Sequence, residues 1–289
     1  MKLPNFIIVG APKAGTTALY NFLENNKSVF MSNPKEVNFF SANELREQNI
    51  YYDYFYIENL TEYEKLFKDS KKNQIIGEAS VSYLYYEKTP EKIKKIIPDV
   101  KIIIMLRNPI KRAFSHYLMD KRLGLVKYSF EKIVSSYGKN ESMKIYYQQY
   151  VELGLYYAQI KRYMEFFDNK KIKIYFQKDL LKNPDSVMKN LYEFLNINNY
   201  DLKDLNRKHN NFSMPKNNFI QKLYSSFWVR SLLSKILPKK IKKKIVGIFF
   251  ETKSKPKIKK DTENILKEIY KNDIENLEKL LEVNLSHWK

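Results

Sequence analysis

Phe6-Ile7-Ile8-Val9-Gly10-Ala11-Pro12-Lys13-Ala14-Gly15-Thr16-Thr17-Ala18-Leu19-Tyr20-Asn21-Phe22-Leu23 decides the fold. An apolar run enters a glycine-bearing loop, and the loop opens a segment with helical character. In such a strand, loop and helix, the backbone N–H groups of the loop and of the first helical turn lack intrahelical acceptors, and the helix dipole adds partial positive charge there. The stretch therefore predicts an anion site, and specifically a phosphate grip.

Spacing narrows the chemistry. A nucleoside-triphosphate loop reads G-x-x-x-x-G-K-[ST], with lysine directly after the second glycine. Here Thr16 holds that position and the lysine lies inside the loop at Lys13, giving G-x-x-K-x-G-T-T. A kinase with an atypical loop stays open as an alternative, disfavoured by the displaced lysine. A plain glycine turn with a solvated lysine is the bland reading.

A second motif follows another apolar run, Lys101-Ile102-Ile103-Ile104-Met105, which suits a buried parallel strand. It reads Leu106-Arg107-Asn108-Pro109-Ile110-Lys111-Arg112-Ala113-Phe114-Ser115-His116-Tyr117, with Pro109 well placed to open a helix. Arg107 then sits at the strand's carboxyl end, where a guanidinium can bind phosphate through two parallel hydrogen bonds; Ser115 adds a hydroxyl from the helix. Taken alone, an arginine there is more often a salt-bridge partner.

Together the two motifs resemble the sulfotransferases that use 3′-phosphoadenylyl sulfate (PAPS). The first loop is similar to the family's 5′-phosphosulfate loop, so the resemblance implies nucleotide contacts from Lys13, Ala14, Gly15, Thr16 and Thr17. The Arg107–Ser115 pair is similar to the family's 3′-phosphate motif. PAPS is then the co-substrate and PAP, adenosine 3′,5′-bisphosphate, the product. Lys13 gains a mechanistic task, offsetting the charge that grows on the departing 5′-phosphate; a preorganised donor of this kind is worth roughly 10²–10³ in rate.

Sulfuryl transfer also needs a group that takes a proton from the acceptor. Cytosolic members use a histidine, heparan-type members a glutamate. Of the three histidines, His116, His209 and His287, none lies between the first loop and the Arg107 strand, where the cytosolic enzymes carry theirs. Asn33-Pro34-Lys35-Glu36-Val37-Asn38-Phe39-Phe40 resembles the heparan-type glutamate segment instead, which makes Glu36 the candidate base. Its plainer reading is a surface carboxylate paired with a lysine. Glu78, in Ile75-Ile76-Gly77-Glu78-Ala79-Ser80, is the runner-up; the heparan-type lysine that would follow it is replaced by Ala79, which leaves subclass and acceptor open. Gly154-Leu155-Tyr156 resembles a G-x-Y segment near the family's acceptor side, so Tyr156 is a candidate substrate contact, with a core aromatic as the alternative. No Lys-Gly-Arg loop occurs near the C-terminus, and the lysines of 253–260 are its nearest replacement. No metal is expected, because neither EF-hand nor zinc spacing is present.

The alternation of strand-like and helix-like segments predicts an α/β fold: a P-loop-type central parallel sheet flanked by helices, with a helical, basic C-terminal extension. The 289 residues fit a single domain, with 1–200 as nucleotide-binding core and 201–289 as extension. The resemblance extends over at least residues 5–196, and the closing Leu285-Ser286-His287-Trp288 is expected to anchor the tail. A net charge of +20 favours anionic partners, yet a Lys-, Ile- and Asn-rich composition can also produce it without a specific nucleic-acid target. Residues 231–260 interleave lysines with apolar residues, and read either as a packed helical pair or as peripheral contact with an anionic membrane surface. No run approaches the ~20 apolar residues of a membrane span, and cysteine is absent, so a cytoplasmic location is expected. The acceptor is expected to be a hydroxyl or amine of a glycan, lipid or small metabolite. A basic polyanion- or membrane-binding protein without catalysis is the remaining alternative.

Overall fold

The computed structural model describes residues 2–52, 55–198, 213–215, 250–252 and 254–289. Five strands, β1 (Phe6–Gly10), β2 (Val29–Met31), β3 (Ile75–Ala79), β4 (Lys101–Leu106) and β5 (Ile172–Phe176), form one sheet in the order β2-β3-β1-β4-β5. All four pairings are parallel. The central strands β1 and β4 are apolar almost throughout and buried along their length, as expected where helices cover both faces. The α/β architecture expected from the sequence is the one observed.

The flanking helices are α1 (Thr16–Glu24), α2 (Ala42–Gln48), α3 (Leu60–Lys65), α4 (Thr89–Ile96), α5 (Pro109–Arg122), α6 (Phe130–Ser135), α7 (Glu141–Tyr150), α8 (Tyr156–Phe166), α9 (Gln177–Lys182) and α10 (Pro184–Leu195). The order of the strands places β3 and β4 on opposite sides of β1. Consecutive connections thus leave β1 in opposite directions, and a crevice opens beyond its carboxyl end.

A closing helix, Lys260–Leu281, packs against α8, α6 and α5. Asp273 on it accepts hydrogen bonds from the backbone N–H of Tyr156 (2.8 Å) and Tyr157 (3.0 Å), capping α8 from a distant part of the chain. Trp288 is buried edge-on to Tyr156 and Phe176, so the tail is anchored as its sequence suggested. The C-terminal part is not wholly helical, however. Ser213–Pro215 and Phe250–Thr252 pair as short antiparallel strands, β6 and β7. Three-residue strands carry too little periodicity to be read in advance. Most of 231–260, the segment of the membrane reading, lies outside the described residues. Among the described residues, no helix is long and apolar enough to cross a membrane.

Candidate active site

The loop after β1 is built by two glycines for different reasons. Gly10 (φ 155°) lies so near the next turn that a Cβ would meet Leu84 Cβ at 2.7 Å and the Val81 carbonyl at 3.2 Å. Gly15 (φ 99°) is the left-handed N-cap of α1, a conformation that strains any residue with a Cβ. Among the described residues no side chain caps α1, and no acidic residue stands in its first turn. Its first N–H groups are therefore left to an anion.

A cavity of about 670 Å³ opens beyond the carboxyl ends of β1, β3, β4 and β5. Its walls include Lys13, Gly15, Thr16, Thr17, Glu36, Arg107 and Ser115, residues drawn from three separate parts of the chain. Ala14 does not line it; its side chain is buried in the core beneath the loop.

Lys13 is itself left-handed (φ 65°), and its Nζ donates to Met119 Sδ at 3.2 Å, a weak acceptor. Burial pushes its pKa down to about 8, assisted by Arg122 and Arg107 and opposed by Asp120 and Glu36. An arriving anion would reverse much of that penalty. Arg107 donates one Nη to the Lys13 carbonyl at 3.0 Å, which ties the two motifs together. Among the described residues, its buried Nε has no partner. Asn108 caps α5 by accepting from Lys111 N–H at 3.0 Å, with Pro109 at the helix start, and so brings Ser115 to the cavity wall two turns later. An open helix N-terminus, a half-buried lysine with a weak partner and a guanidinium with a free donor fit a nucleotide bearing two phosphates.

Glu36 lines the same cavity and pairs with Lys35 at 2.9 Å. Glu78 does not reach it. This carboxyl is fully buried, accepting from Ser80 Oγ at 2.6 Å and Tyr63 OH at 3.1 Å, with its pKa pushed up to about 7 by burial. Tyr156 is also fully buried; its hydroxyl donates to the Arg107 carbonyl at 2.9 Å, so it supports the arginine from behind.

Several wall residues escape the sequence reading. Tyr51, Tyr52, His116 and Gln149 line the cavity. His116 follows Ser115 on α5, and Arg112, His116 and Asp120 form a buried polar stripe at i, i+4, i+8. His116 Nδ1 lies 2.9 Å from the Gln149 carbonyl, and Nε2 lies 2.9 Å from Tyr52 OH. Burial, then Arg112 and Lys13, hold its pKa well below the usual value. Asp120 Oδ2 receives the hydroxyls of Tyr51 (2.8 Å), Tyr52 (2.5 Å) and Tyr150 (2.7 Å). Lys255 feels both Arg107 and Lys111, which places one lysine of the 253–260 stretch on the arginine's side of the site.

The chain is similar to known proteins. A human bifunctional heparan sulfate N-deacetylase/N-sulfotransferase 3 is 28% identical over 206 residues, covering 68% of this chain and 22% of the relative. The corresponding Drosophila melanogaster enzyme is 29% identical over 206 residues, with 68% and 20% covered. The chain thus spans about a fifth of the length of these curated relatives. Among solved structures, a sulfotransferase from Alicyclobacillus acidocaldarius superposes with a TM-score of 0.72 at 26% identity, covering 100% of this chain and 99% of that one. The profile of the sulfotransferase domain family matches residues 3–280, and the chain belongs to that family.

Proposed function

We propose that the protein moves a sulfuryl group from PAPS to a hydroxyl or amine acceptor and releases PAP. The observation that carries this reading is the convergence of the Lys13 loop, Arg107, Ser115 and Glu36 on one cavity. The N–H groups at the start of α1, with Lys13, Thr16 and Thr17, hold the 5′-phosphosulfate. Arg107, through its unpartnered Nε, and Ser115 hold the 3′-phosphate. Glu36 takes the proton as the acceptor's oxygen or nitrogen bonds to sulfur, while the bond from sulfur to the bridging oxygen of the 5′-phosphosulfate breaks. Lys13 then offsets the charge gained by the leaving phosphate.

The N-sulfotransferase activity of the heparan sulfate relatives supports an amine on a glycan as the first acceptor to try. A cytoplasmic location belongs to the same reading, supported by the absence of cysteine from the sequence.

The test is transfer of ³⁵S from labelled PAPS to N-deacetylated heparosan, p-nitrophenol and a long-chain alkyl amine. Wild type labels at least one acceptor, and Glu36→Gln lowers kcat by roughly 10²–10⁴ with KM for PAPS little changed. Wild-type transfer by Glu36→Gln would remove Glu36 from the base role.

A further inference from the structure

Glu36 lies on a segment without regular structure, between Met31 at the end of β2 and the single helical turn at Phe39. What fixes it is a buried polar assembly after β3. Ser80 Oγ accepts from Val37 N–H at 3.2 Å and from Asn38 N–H at 3.0 Å, the two amides that follow Glu36. Ser82 Oγ donates to Asn38 Oδ1 at 2.7 Å, and Tyr83 OH accepts from Phe40 N–H at 3.3 Å. Glu78, Ser80, Tyr63 and Tyr83 are all fully buried, and Asn38 nearly so.

The hydroxyl chemistry makes Glu78 the organiser. Ser80 has one proton and two lone pairs. With the proton given to Glu78 Oε1 at 2.6 Å, both lone pairs remain for the two amides. If the carboxyl were absent, the hydroxyl proton would turn toward a position that the two amides use, and the bonds from Val37 and Asn38 would be weakened in a dry environment. Burial pushes the Glu78 carboxyl up to about 7, with the Ser80, Tyr63 and Tyr83 hydroxyls opposing the shift. The strain of keeping this acidic group inside is consistent with a task that an apolar residue could not perform.

We propose that Glu78 is a positioning residue: through Ser80 Oγ it fixes the Val37–Asn38 backbone and with it the direction in which Glu36 enters the cavity. The proposal rests on Glu36 being the base only for its effect on rate; the fixation itself is independent of that assignment. It also explains why this strand-end glutamate is present without reaching the acceptor.

The experiment combines amide hydrogen exchange, PAP affinity and ³⁵S transfer in Ser80→Ala, Ser80→Thr, Glu78→Leu and Glu78→Gln. Ser80→Ala and Glu78→Leu raise exchange at Val37 and Asn38 at least tenfold, leaving β1 and β4 protected as in wild type. Ser80→Thr keeps the hydroxyl and Glu78→Gln keeps an acceptor, so both stay within about threefold of wild type. In the first two variants kcat falls about 10- to 100-fold while PAP affinity is retained, because a misdirected base slows the proton-transfer step without loosening the nucleotide. The double variant Ser80→Ala/Glu78→Leu loses no more than Ser80→Ala alone, since both act through one hydroxyl.

Unchanged exchange at Val37 and Asn38 in Ser80→Ala and Glu78→Leu would overturn the proposal. So would loosening spread equally over β1 and β4, or losses that multiply in the double variant. Glu36→Gln, run in parallel, separates the two ideas: if it retains transfer, the base assignment fails while the exchange data still decide the positioning.

Discussion

Lys13 is the residue in which the fold's electrostatics and its chemistry meet. The loop holds it in a left-handed conformation, burial lowers its pKa to about 8, and Arg122 and Arg107 deepen the effect. In the nucleotide-free protein it is therefore partly neutral in mildly alkaline solution. A bound phosphate favours the ammonium, so binding and protonation are linked. The sign follows directly: PAP affinity is full below pH 8 and declines as pH rises through that value, and calorimetry in buffers of different ionisation enthalpy shows proton uptake near pH 8. Lys13→Met binds PAP more weakly and loses this pH dependence. An affinity of wild type that is flat from pH 7 to 9 would contradict it. The cavity residues proposed to hold phosphate were legible because their motifs follow apolar runs at a fixed short spacing. Glu78 shared that signal, ending a strand beside the site, but its neighbours Ser80, Tyr63 and Tyr83 turn its carboxyl inward, and no local pattern announces such a turn.

At the scale of elements, helix ends do most of the positioning. The uncapped start of α1 faces the cavity, and the Asn108-capped start of α5 orders Arg107 and Ser115 around it. The start of α8 is different, because its cap is Asp273 on the closing helix, and α8 in turn offers Tyr156 to the Arg107 carbonyl. Asp273→Ala leaves two amides without their acceptor and is expected to cost about 1–2 kcal/mol, read as a lowered denaturation midpoint. PAP affinity falls with it, whereas Asp273→Asn, which keeps an acceptor, loses less. A midpoint unchanged by Asp273→Ala would show that α8 does not depend on this cap. None of this was readable in advance, since the two partners are more than a hundred residues apart. The stripe Arg112, His116 and Asp120 on α5 was hidden for a related reason. Its spacing of four suits a solvated helix face, and only Tyr51, Tyr52 and Tyr150, contributed by other segments, bury it beside the cavity.

Across the whole molecule, strand order is what turns separate motifs into one site. With β3 and β4 on either side of β1, the segments leaving all three strands converge at the same edge, and β5 adds Gln177. The parallel core was legible from continuous apolar runs, because strands buried on both faces need no alternation. The short pair β6–β7 and the docking of the closing helix were not, since both depend on long-range packing. If this edge holds a nucleotide with both a 5′- and a 3′-phosphate, calorimetric titration with PAP, AMP and ATP–magnesium, in wild type and Arg107→Ala, will reveal it. PAP is expected to bind without metal, much tighter than AMP, and at least tenfold more weakly in Arg107→Ala, in line with loss of a charge-assisted phosphate contact. Binding of ATP–magnesium without binding of PAP would contradict it.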